Sequence, residues 1–267
     1  MTDGPPLIFD RKAIALHRTR AARRNDETFL RTEAEAAIAE RLSIVKRDFA
    51  HRLDVAFDSA ERMEAASQSA DLATSLLTLH TLNDLPGALV QICRALKPDG
   101  LFIGALFGGE TLTELRQSLA AAEIEIMGGV SPRVAPFADV RDLGGLLQRA
   151  GFALPVADVE RTVARYSDFM ALVRDLRALG ETNALVERSR KPMRRAMLAA
   201  AARHYAERFA DPDGKLRATF DIVYLTGWAP HESQPKPLAP GSAKARLADA
   251  LGTKELRSGE APPKRQR

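Results

Sequence analysis

Cysteine, tyrosine and tryptophan are scarce in this chain, and long apolar runs are missing from it. The single cysteine, Cys93, leaves no partner for an internal disulfide and no thiolate cluster for a metal. That usage points to a reducing, cytoplasmic compartment. With only 3 Tyr and 1 Trp, and no interleaving of aromatic with basic residues, no nucleic-acid-binding module is expected. No stretch reaches the roughly 18 uninterrupted apolar residues that a membrane helix needs. The opening MTDGPPLIFDR lacks the charged-then-apolar order of a secretory leader, and its early acids and prolines argue against a transit peptide. Histidine and acid spacings that hold metals, such as H-E-x-x-H, are missing too, so no metal site is expected.

What remains is globular. The 267 residues are 45% hydrophobic and 28% charged, enough for one large domain with a sizeable core. The net charge of +4 is unevenly spread. Residues 1–53 hold 11 Lys/Arg against 8 Asp/Glu, residues 230–267 hold 8 against 4, and the middle is mildly acidic. Basic ends can touch an anionic surface, either membrane lipid at the inner face of the cytoplasmic membrane or another protein. They can equally be solvated flanks.

Helical periodicity marks Arg11–Arg24 and Phe29–Arg47, with a break at Asn25 and Asp26. Arg52–Ala56 reads as a short, half-exposed strand and Leu72–Leu82 as a buried strand running into a loop. Leu85–Leu96 is an amphipathic helix that tolerates Pro86 in its first turn. LKPDG, Leu96–Gly100, ends that helix and turns the chain. LFIGALF, Leu101–Phe107, is apolar on both faces, as a central strand covered on both sides must be. Helices follow at Thr111–Glu125 and Phe137–Ala150, a strand at Phe152–Val159, a helical insertion at about 160–218, and a last strand at Thr219–Trp228. The expected domains are a helical segment at 1–50, an α/β body at 51–229 and a basic, proline-rich tail at 230–267.

Alternating strands and helices predict a mostly parallel, doubly wound sheet. Ligands of such sheets bind beyond the carboxyl ends of the strands. The loops there carry His80, Asn83 and Asp84, then Gly108, Gly109 and Glu110. His80, Asn83, Gly108 and Gly109 are the candidate cofactor contacts; no catalytic residue is singled out. Each has a structural alternative. His80 can be a hydrogen-bonded core histidine, and Asn83 and Asp84 can cap the Leu85 helix, the role favoured for Asp84. Gly108 and Gly109 can form a turn that needs positive φ. His231, Glu232 and Ser233 read as a structural corner, Tyr224 and Trp228 as core, and Cys93 as inert.

The run LHTLNDLPGALVQICRALKPDGLFIGALFGGETLTELR, Leu79–Arg116, resembles class I S-adenosylmethionine-dependent methyltransferases. More narrowly it resembles the assembly factor 5 family of respiratory complex I. IFDR at Ile8–Arg11, GGVSPRVAPFADVRDLGGLLQRAGF at Gly128–Phe152, LGETN at Leu179–Asn183 and GWAPHESQPKPLAPGSA at Gly227–Ala243 also match. The resemblance implies a truncated methyltransferase-like, Rossmann-like α/β fold. It implies a protein client, the quinone-proximal iron–sulfur subunit of complex I, and a role in assembling or modifying it; the mitochondrial member is described as an arginine hydroxylase. It implies S-adenosylmethionine as cofactor. Yet only 16 residues separate Val55 from Leu72. The two further strands and three crossovers of an intact member cannot fit there, since one helical crossover takes a dozen or more residues. The chain has no G-x-G, Ser59 stands where the family has an acid, and Thr81 where it has tryptophan. S-adenosylmethionine binding is therefore expected to be impaired. A working methyltransferase and an internally shortened, non-functional copy are the alternatives. The edge left by the gap is expected to end at Arg52–Ala56. The N-terminal helices, a second copy forming a homodimer, or a client would cover it.

Overall fold

The computed structural model describes residues 7–24, 28–235 and 252. The proposed break at Asn25–Asp26 and most of the basic tail fall outside them. Residues up to His231 form one compact unit, and Glu232 onward a second.

Two helices come first, α1 (Arg11–Arg24) and α2 (Phe29–Ile44). Then follow β1 (Arg52–Asp54), β2 (Ala70–Leu76), α3 (Leu85–Ala95), β3 (Leu96–Gly108), α4 (Thr113–Met127), α5 (Val140–Arg149) and β4 (Ala153–Tyr166). The unit closes with α6 (Phe169–Leu179), α7 (Arg195–Phe209) and β5 (Leu216–Trp228). The five strands form one sheet in the order β1-β2-β3-β5-β4. The parallel expectation holds for β1, β2 and β3. The β3–β5 and β5–β4 pairings are antiparallel, so the sheet is mixed.

Helices cover both faces. Leu30, Ala34 and Ile38 of α2, Leu115 and Leu119 of α4, and residues of α6 and α7 pack on Leu72, Leu101, Ile103 and Tyr224. On the other face Leu89 and Ile92 of α3 and Leu143 and Leu147 of α5 meet Ala73, Phe102, Leu106 and Val223. Leu101–Phe107 is thus buried from both sides, between β2 and β5, because its side chains have a helical layer to enter in either direction.

Several boundaries differ from the sequence reading: β1 stops at Asp54 rather than Ala56, β2 is Ala70–Leu76 rather than Leu72–Leu82, α5 starts at Val140 rather than Phe137, and β5 at Leu216 rather than Thr219. Two further differences matter more. LKPDG does end α3, but its residues already belong to β3: Leu96 pairs with Ala70, and the register shifts before Leu101 pairs with Leu72. Asp99 takes a positive φ of 61° in this irregularity, where its carboxylate accepts from Arg47. The last strand before the insertion runs to Tyr166, not Val159, so the helical insertion starts after Tyr166 rather than at about 160. The extra residues, ERTVARY, are held by a long antiparallel ladder to β5, from Glu160 opposite Ile222 to Tyr166 opposite Leu216. Backbone pairing to β5 makes these charged residues strand.

Candidate functional site

The carboxyl ends of β2 and β3 open toward α1, α2 and the loop after α6. A cleft of about 690 Å³ lies there, lined by Arg18, Thr28, Arg31, Glu35, Leu76, Thr78, Phe107, Leu179 and Glu181 among others. A smaller cavity of about 70 Å³ shares Arg18, Phe107 and Glu181 with it.

His80 lies at the inner side of this region, in the turn Leu79–Thr81 that follows β2. Its ring is buried edge-on to Phe107, 5.1 Å between centroids, with Phe137 at 6.0 Å. Nε2 is 3.2 Å from the carboxylate of Glu181, and Nδ1 is buried without a partner. Burial would push the Glu181 carboxyl up. The charge and hydrogen bond of His80, with the Arg18 guanidinium, outweigh it and hold Glu181 below its usual value. Arg18 reaches across from α1 and donates to the Thr78 carbonyl at 3.4 Å and the Thr81 hydroxyl at 3.0 Å. Burial lowers its pKa, yet a guanidinium keeps its charge. At the mouth, Thr28 precedes the first turn of α2 with its hydroxyl buried and unpartnered. Arrangements of this kind can bind a polar or charged side chain and shift a proton through the His80–Glu181 pair.

The other sequence candidates are engaged by the protein itself. The Asn83 side-chain oxygen accepts from the backbone N–H groups of Ile8 and Phe9, both at 2.8 Å, and its amide donates to Phe9 and Glu61. Asp84 caps α3 by accepting from Gly87 N–H at 2.9 Å. Gly108 is packed so closely that a Cβ would lie 2.6 Å from Val223 and 3.0 Å from the Ala138 carbonyl. Gly109 has φ of +51° and abuts the Asp221 carboxylate. Asp221 also accepts from Glu110 N–H at 3.0 Å and pairs with Arg161 at 2.6 Å. The two glycines therefore serve a turn against β5. Tyr224 is buried under the Arg41 guanidinium, 3.8 Å from its ring, and Trp228 lies under Arg47 at 5.8 Å. Cys93 is half-buried in α3, and burial pushes its thiol up. His231 is exposed just past β5.

Glu181 and Arg18 were not among the sequence candidates. Glu181 sits inside the quoted run LGETN, which is its only signal. Arg18 had none, because α1 reads as a solvated basic helix.

The residues do not fit a glycine-loop grip on S-adenosylmethionine. There is no glycine between Gly4 and Gly87, so the chain leaving β1 carries none of the glycines with which such a turn brings backbone up to a cofactor. Of the carboxylates close to the β2 loop, Glu181 faces His80, Asp84 caps α3, and Glu61 is taken up by Asn83 and Asp84 N–H groups, each at 2.8 Å, and by Arg11 at 3.4 Å. No further strand lies beyond β1 among the described residues. No group of metal-ligating side chains and no helix long and apolar enough to cross a membrane occurs among them.

Residues 18–104 match a family described as a methyltransferase domain. The human "Arginine-hydroxylase NDUFAF5, mitochondrial" is 38% identical, with 91% of this chain and 83% of that protein aligned. Its alignment runs over 286 positions but takes in only about 243 residues of this chain, so roughly 43 positions are sequence that the relative has and this chain lacks. The zebrafish protein of the same name (Danio rerio) is 47% identical over 70% of this chain, which spans 58% of its length. A "Malonyl-[acyl-carrier protein] O-methyltransferase" of Methylovorus is 34% identical over 85% of this chain and 69% of its own.

Proposed function

Because this chain belongs to the family of the mitochondrial arginine-hydroxylase NDUFAF5, we propose that it assists assembly of respiratory complex I by modifying an arginine of a protein client. The client is the quinone-proximal iron–sulfur subunit, and the cleft at the ends of β2 and β3 receives the side chain. The observation that carries this reading is Glu181: a mostly buried carboxylate, kept ionised by His80 and Arg18, on the wall of a cleft that mixes charged and apolar side chains. Such a carboxylate suits a guanidinium, which pairs with it in a planar fork. The reading does without a glycine-loop grip on S-adenosylmethionine.

The test is mass spectrometry of the client subunit after co-expression with this chain. The expected result is an arginine heavier by one oxygen, a C–H bond replaced by C–OH with dioxygen as oxidant and an external two-electron donor reducing the second oxygen atom to water, and it should be absent with Glu181→Gln. An unmodified client with the unaltered chain would sink the reading. The methyltransferase relatives favour a second reading, transfer of a methyl group from S-adenosylmethionine. Calorimetric titration separates the two: low-micromolar binding, about −8 kcal/mol, would support methyl transfer.

A further inference from the structure

Beside the cleft, a groove of about 470 Å³ is lined by His17, Arg20, Arg23, Arg24, Arg177 and Thr182. Its walls are the packed pair α1 and α6, tied where His17 Nδ1 meets the Thr182 carbonyl at 3.1 Å. Among the described residues no carboxylate lines it. None of the four arginines has an ion-pair partner among the described residues. Other arginines without an ion pair, such as Arg52, Arg149 and Arg208, are scattered over the surface, whereas these four line one groove.

Helix dipoles explain part of this charge. Arg23 and Arg24 lie in the last turn of α1 and Arg177 in that of α6, where a cation is favoured by about 0.3–1 kcal/mol. Four guanidiniums around one groove go further, concentrating positive charge at one place on the surface. A polyanionic occupant complements it.

We propose that this groove docks an acidic segment of the protein client. A bilayer is the poorer match. α1 spends its apolar residues Ala13 and Ile14 against Phe9, Ala184 and Leu185, leaving Leu16 as its one exposed large apolar side chain, and an interfacial helix needs a whole apolar face. The groove is also concave, so a flat surface reaches only its rim. Thr182 follows Glu181 directly, and Arg18 of the cleft lies between His17 and Arg20 of the groove. An acidic segment held there delivers the neighbouring part of the client to Glu181. The inference thus rests on the reading of the cleft and names the charge of its partner.

The test is fluorescence anisotropy of a labelled glutamate-rich peptide of about ten residues, some 33 Å when extended, with the full chain. The four arginines are exposed, so charge reversal should leave the fold intact. The expected result is salt-sensitive binding, at least about tenfold weaker in the Arg20→Glu, Arg23→Glu, Arg177→Glu variant. It is retained when the same positions carry lysine. Unchanged binding in the reversed variant overturns the proposal. So does inorganic phosphate binding as tightly as the peptide, or sedimentation with phosphatidylserine vesicles in place of peptide binding. Glu181→Gln should leave peptide binding unchanged while abolishing the modification. Loss of docking and loss of activity are therefore read in different variants.

Discussion

Glu123 and Asp221 are carboxylates taken almost wholly out of water, and each is stable there because its oxygens are fully engaged. Glu123 accepts from the Ser131 backbone at 2.7 Å and hydroxyl at 2.6 Å, and from Arg133. Asp221 accepts from Arg161 and from Glu110 N–H. For Glu123, burial pushes the carboxyl up and Arg133 with Ser131 more than reverses it; for Asp221, the Arg161 hydrogen bonds lead in lowering it. Both folded pKa values lie below the unfolded ones. The stability they contribute is fully present above the unfolded carboxyl pKa, about 4, and is lost as pH falls through the folded values. Urea midpoints should be level from about pH 7 to pH 5 and drop below pH 4. Glu123→Gln should cost about 1–3 kcal/mol at neutral pH and flatten that acid limb; an unaltered limb would show that the pair contributes nothing. Neither partner could be read from sequence, because Glu123 meets Arg133 across a loop and Asp221 meets Arg161 across a strand pair. Spacing told of His80 and the Asp84 cap, which answer to local rules. It missed Glu181, which comes to His80 from 101 residues away.

Among the elements, β3 is the most legible, since a seven-residue run apolar on both faces has one place to go in an α/β sheet. β4 is the least legible. Its second half alternates charge with small and β-branched residues, and only the ladder to β5 decides it. The site loops were legible as loops, but their use was not. The Ile8–Arg11 segment that binds Asn83 is brought in by tertiary packing, which no local pattern encodes. Gly104, in the middle of β3, tests the buried reading directly. A Cβ there would lie 2.8 Å from the Phe102 ring, and both faces are closed to water. Gly104→Asp adds a clash and a buried, unpaired charge, each costing several kcal/mol. That is a large share of the roughly 5–15 kcal/mol a domain has. The variant should be found in the insoluble fraction on expression. Soluble protein with an unaltered circular dichroism spectrum would contradict the central placement of β3.

At the scale of the whole molecule, the missing strands leave the sheet with β1 as an outer edge, and the question is what meets it. α2 packs on the sheet face through Leu30, Ala34 and Ile38, and a helix there cannot extend the ladder of β1. A second copy could. β1, however, is only three residues long, with Arg52 and Asp54 exposed and Leu53 half-buried. Three residues give a ladder of about 10 Å, while a stable interface buries about 1,200–2,000 Å². Short, charged edge strands are how proteins keep sheets from pairing. The opposite edge, β4, is longer and half-exposes Val156, Val159 and Val163, but Asp158, Glu160, Arg161 and Arg165 interleave with them. Both edges are therefore guarded. Size-exclusion chromatography with light scattering should give the mass of one chain, 29.1 kDa. Hydrogen exchange should find the Arg52–Asp54 amides fast and those of Leu101–Phe107 as slow as global unfolding. A species of twice the mass, with slow exchange at Arg52–Asp54, would mean that the shortened sheet completes itself with a second copy through β1.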